Sequence, residues 1–147
     1  MKGKIFTPDE ATRMLPLVRR IVTDAKACSK LIERHERSLL DLRRALERES
    51  EMREDAILDE LREHDKKILA LKEHREACRR ELEALGAFLD DPFEGIVKFY
   101  GEKDSRIVYF TWRLGEDRVS WWHETDDEHS DRLPIDGDEK VANNAEF

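Results

Sequence analysis

Apolar residues recur through the first third of the chain at alternating steps of four and three. The series is Met14, Val18, Ile21, Ala25, Cys28, Ile32, His35, Leu39, Leu42 and Leu46. That is a coiled-coil-type heptad seam on one long helix, with His35 its only strongly polar member. Thr7-Pro8-Asp9-Glu10 supplies the start: Thr7 caps, Pro8 suits the first helical position, and Glu10 closes a capping box. Pro16 lies one turn in, early enough to kink the helix without ending it. A second seam runs Ile57, Leu61, His64, Ile68, Leu71, Arg75, Cys78, Leu82 and Leu85, and Gly86 stands where a helix stop is expected.

Between the seams, Ser50 suits a turn. The two arms, roughly 40 and 35 residues, then form an antiparallel hairpin about 50–60 Å long. Facing residues in such a hairpin keep a constant index sum, here 99 or 100. Leu42 meets Ile57, Leu39 meets Leu61, and Met14 meets Leu85. The informative coincidences are that His35 falls opposite His64 and that long Arg75 falls opposite small Ala25. Cys28 and Cys78 are staggered by about 9–10 Å along the hairpin, too far for a disulfide.

After Gly86 the period changes from helical to two. Residues 95–100 and 106–113 read as strands around a turn at 101–105. A second turn at Gly115-Glu116-Asp117 leads to a third strand over 118–123. The expected architecture is α+β: a long antiparallel helical hairpin with a small three-stranded antiparallel sheet at its open end, against which the sheet must pack to be stable. Residues 1–136 read as one domain, with the hairpin over 5–86 and the sheet and an acidic loop over 87–136. Residues 137–147 read as a disordered tail.

Composition narrows the function classes. Of 147 residues, 42% are charged, well above an ordinary globule. The charge is uneven. Residues 1–86 carry 20 Lys+Arg against 19 Asp+Glu, and residues 87–147 carry 7 against 16, giving the net of -8. The acidic half argues against nucleic acid and against an anionic membrane surface. No apolar run is long enough to span a bilayer. The N-terminus has no signal-peptide core, so a cytoplasmic protein with reduced thiols is expected.

The run Glu83-Ala84-Leu85-Gly86, then Gly95-Ile96-Val97, then Trp112-Arg113-Leu114-Gly115-Glu116, then Trp122-His123, with Arg132 and Pro134 beyond, resembles a bacterial family known as domain of unknown function 2203. The opening Phe6-Thr7-Pro8-Asp9-Glu10-Ala11 with Leu15-Pro16 resembles that family's start. The likeness covers most of residues 5–135. It departs at Thr111, where the family carries cysteine, and around Glu128, His129 and Asp131, where the family carries glycines and an aromatic. The resemblance implies no activity.

Candidate chemistry gathers in the second half. Arg113, Glu116, Trp122, His123 and Arg132 match the family pattern and are chemically able, either as a ligand-binding site or as a structural corner. His123, Asp126, Asp127 and His129 have ligand-type side chains, but no helix fixes their spacing, and no metal is expected there. Ser120 and His123, three apart on a strand, face opposite sides, so no catalytic residue is assigned. No phosphate-binding loop is present, and no cofactor is expected. The expected role is a non-enzymatic interaction or assembly module. The alternative is a small-ligand or divalent-metal-binding protein using the Trp-His region. A two-helix layer leaves leucines uncovered, which predicts a homodimer.

Overall fold

The computed structural model describes residues 4–48, 51–125 and 132–135. The expected turn at Ser50, the 126–131 loop and the 137–147 tail lie outside the described residues. Strand β1 (Ile5–Phe6) leads into α1 (Pro8–Arg13), followed by α2 (Leu15–Arg48) and α3 (Glu51–Ala84). The sheet continues with β2 (Ala87–Asp91), β3 (Ile96–Lys103), β4 (Arg106–Arg113), β5 (Trp121–Glu124) and β6 (Leu133–Pro134).

The capping box forms as the sequence predicts. Glu10 N–H donates to Thr7 Oγ1 at 3.0 Å, and Thr7 N–H donates to Glu10 Oε1 at 2.9 Å. Pro16 does more than kink the helix. It has no N–H to offer the Thr12 carbonyl, and α1 ends at Arg13, with Met14 as its C-cap, before α2 begins at Leu15. The break turns α1 towards the sheet, where Thr12 Oγ1 accepts a hydrogen bond from Val119 N–H at 3.0 Å.

Helices α2 and α3, 34 residues each, pair along their lengths as an antiparallel hairpin about 50 Å long. The predicted register holds at the His35–His64 pair, which meets across the seam. Arg75, expected opposite Ala25, reaches one turn further and donates to Ser29 Oγ at 3.1 Å. Both cysteines are free and buried. The core has two parts. The larger lies at the open end, where Leu15, Val18, Val22, Cys78 and Leu82 pack against Val97, Phe99, Phe110 and Trp112 of the sheet. The smaller lies out along the hairpin, around Ile32, Leu39 and Ile68.

The expected three-stranded antiparallel sheet is incomplete. Among the described residues the sheet has six strands and is mixed. Strand β4 pairs with β3 along its whole length, so β2 and β1 share the other edge of β3. There β2 runs antiparallel to its first half and β1 parallel to its second. Strands β5 and β6 extend the sheet beyond β4. The turn predicted at 101–105 is shorter than expected. Strand β3 runs on through Gly101 to Lys103, and only Asp104 and Ser105 turn, with φ of 53° and 66°. That is the two-residue hairpin geometry that matches sheet twist. The strand expected over 118–123 begins only at Trp121, because Val119 is held by α1.

Candidate functional site

The five residues singled out from the sequence divide between the two faces of the sheet. Strand alternation puts Val97, Phe99, Phe110, Trp112 and Trp122 on the helix-facing side, all buried. Trp122 is therefore core. Its ring lies beneath Arg106, whose Cζ is 5.7 Å from the ring centre, and Arg106 Nε in turn bonds Glu124 at 3.2 Å.

Arg113, Glu116 and Arg132 form a clamp at the β4–β5 corner. Glu116 receives both terminal nitrogens of Arg132, at 2.9 and 3.0 Å, and the Arg113 backbone N–H at 2.9 Å. Burial alone would raise the Glu116 carboxyl. The Arg132 and Arg113 hydrogen bonds and the two guanidinium charges outweigh burial and hold it below the ordinary value of 4.5. The Glu116 carbonyl accepts Trp112 Nε1–H at 2.9 Å. Arg132 also donates Nε–H to Thr111 at 3.0 Å and lies over the Trp121 ring. The Arg113 guanidinium points to Glu94 instead, at 3.7 Å. The carboxylate ties the end of β4 to the segment before β6 through these bonds.

His123 lies on the opposite face and is itself buried, at 8% exposure. Its Nδ1 lies 2.7 Å from the Glu124 carbonyl. A carbonyl only accepts, so Nδ1 carries the hydrogen and the neutral ring keeps its lone pair on Nε2. His123 ends a row of rings across four strands. Phe88 meets Tyr100 at 5.2 Å, Tyr100 stacks on Tyr109 at 5.3 Å, and Tyr109 meets His123 at 5.5 Å. Lys98 Nζ lies 4.5 Å above the Tyr109 ring and 3.3 Å from Asp90. The row follows from the register, which sets Tyr100 beside Tyr109 and Tyr109 beside His123. Reading the sequence for catalytic residue types missed Phe88, Lys98, Tyr100 and Tyr109. Their signal was positional: alternate residues of neighbouring strands.

Of the metal-type cluster His123, Asp126, Asp127 and His129, only His123 falls within the described residues. Among those residues no group of three or more His, Cys, Asp or Glu side chains converges. Burial raises both thiols, Cys78 to about 11, the reverse of what a nucleophile needs. No helix among the described residues is long and apolar enough to cross a membrane.

Fold and site together define an α+β protein: a long helical hairpin carrying a mixed sheet whose outer face is aromatic. The sequence pattern of the uncharacterized conserved protein family, domain of unknown function 2203, matches residues 4–135, and the chain belongs to that family. No curated protein and no solved structure matches.

Proposed function

We propose that this protein is a non-enzymatic assembly module that works as a homodimer joined along its helical hairpin. The observation that carries the reading is a flank of uncovered leucines. Leu17 and Leu31 are 40% and 37% exposed. Leu15 and Val22 of α2 pack towards the sheet. Leu17 and Leu31 stand two residues beyond that heptad position, about 200° round the helix. Leu69 of α3 and half-buried Leu58 belong to the other flank, since Leu69 stands about 80° round the helix from Arg79, which reaches the Leu89 carbonyl of the sheet. A second hairpin laid on the Leu17–Leu31 flank makes a four-helix layer and covers these leucines, each worth about 1.5–3 kcal/mol when fully buried. The engaged Glu116, the raised thiols and the lack of a Ser, Thr or Cys bonded to an imidazole among the described residues support a role without catalysis.

A cytoplasmic setting fits two free buried thiols, and the acidic balance argues against a nucleic-acid partner. The test is mass in solution at micromolar concentration, with Leu17→Glu/Leu31→Glu as the interface variant. A second reading, a small-ligand or divalent-metal-binding protein using the Trp-His region, is favoured by one observation: the His123 tautomer, which keeps an Nε2 lone pair at the end of the ring row. Native mass spectrometry of the purified chain separates the two, since a retained small molecule supports the second.

A further inference from the structure

The two seam histidines are an expensive choice for a helical hairpin. Every neighbouring layer of that seam is apolar: Ile32, Leu39 and Ile68 are buried above and below, with Leu61 and Leu71 packed on them. His35 and His64 nevertheless come from facing helices, both half-buried, and turn the same ring nitrogen inward. The two Nδ1 atoms are 2.8 Å apart, with the ring centres at 5.0 Å and the planes inclined by 55°. In the neutral pair one Nδ1 carries a hydrogen and the other accepts it. When that hydrogen leaves, two lone pairs converge on one point between the helices.

We propose that His35 and His64 are an interhelical clip for a divalent transition metal such as zinc or copper, bound through both Nδ1 atoms. Imidazole nitrogen suits these ions, and a tetrahedral ion with bonds of about 2.0–2.1 Å needs its two nitrogens about 3.3 Å apart. The pair has to open by only about 0.5 Å to accept one. Water fills the remaining positions, because no third His, Cys, Asp or Glu joins the pair among the described residues. Arg34 and Lys67 are the charged neighbours felt by His35. Their repulsion of a dication makes the clip a weak, exchangeable one. Bound metal would lock the arms together in the half of the hairpin that the sheet does not reach. The inference stands apart from the dimer reading, since both ligands come from one chain.

The experiment uses the full chain stripped with chelator, then titrated with zinc or copper. The expected result is binding that saturates at one ion per chain and a rise in melting temperature of several degrees. His35→Leu and His64→Leu should each abolish that rise, while His74→Ala, an exposed histidine on α3, should keep it. In wild-type protein the imidazole 15N spectrum should show zinc moving Nδ1, not Nε2, of both rings. That readout decides the matter even where a leucine variant fails to fold. No saturable binding, binding untouched by the leucine variants, or zinc-induced shifts at Nε2 would overturn the proposal.

Discussion

Gly101→Ala should be among the most damaging single-methyl additions in this protein. Gly101 sits within β3, opposite Val108 on one side and Phe6 of β1 on the other. A Cβ built there would lie 2.3 Å from Cε2 and Cζ of Phe110 and 2.6 Å from Cδ2. Carbon atoms in contact stand about 3.5–4.0 Å apart, so the ring must retreat by more than about 1 Å. Phe110 is 2% exposed and shares its core with Phe99 and Trp112, both fully buried, so it has nowhere to go. The cost should reach or pass the upper end of the roughly 1–3 kcal/mol typical of overpacking. Phe110→Ala alone should cost about 3–5 kcal/mol through its cavity. In the double variant the new methyl enters the vacated space, so the combined loss should fall short of the sum by about 1–3 kcal/mol. Urea unfolding with an unchanged m-value measures all three. If Gly101→Ala changes stability by less than about 0.5 kcal/mol, or if the two losses simply add, then Phe110 does not cover Gly101 and the strand assignment fails.

Three further predictions follow from the corner, the seam and the first helix. Trp122→Ala should destabilise by about 3–5 kcal/mol, whereas His123→Ala should cost only about 0.5–1.5 kcal/mol, both read by thermal melts. Burial and the charge of His64 hold the His35 pKa below its ordinary value of 6.5. The unfolded chain therefore binds more protons than the folded one. Stability should be full above that value and fall as pH drops from about 6.5 towards the folded pKa. The His35→Leu/His64→Leu variant should flatten this fall in urea midpoints taken across pH, and an unchanged slope would contradict a buried facing pair. Thr7→Ala should cost about 1 kcal/mol by loss of the capping box, and equal melts would show the cap to be idle.

The hairpin was legible because one period repeats along both seams. The His35–His64 meeting followed from index arithmetic before any coordinate. The sheet was half legible. Strands β3 and β4 run for eight residues each and β3 alternates along most of its length, but β1 and β6 are two residues long and cannot show a period. Strand β2 follows directly on a helix, and its only alternation is Ala87 and Leu89 buried around Phe88. Gly101 read as a turn residue because glycine usually marks one, whereas here it makes room for a ring. Of the five candidate residues, pattern alone could not assign a face to each. Trp122 and His123 are adjacent in sequence and therefore on opposite sides of the sheet, while Glu116 and Arg132 find each other only through tertiary contact.

Static light scattering at micromolar concentration tests the assembly reading most directly. The chain has a mass of 17.4 kDa. Wild type should show about twice that mass and the Leu17→Glu/Leu31→Glu variant a single-chain mass, with helical content and sheet melting retained. A wild-type chain that stays at 17.4 kDa, or a variant that stays dimeric, would contradict it.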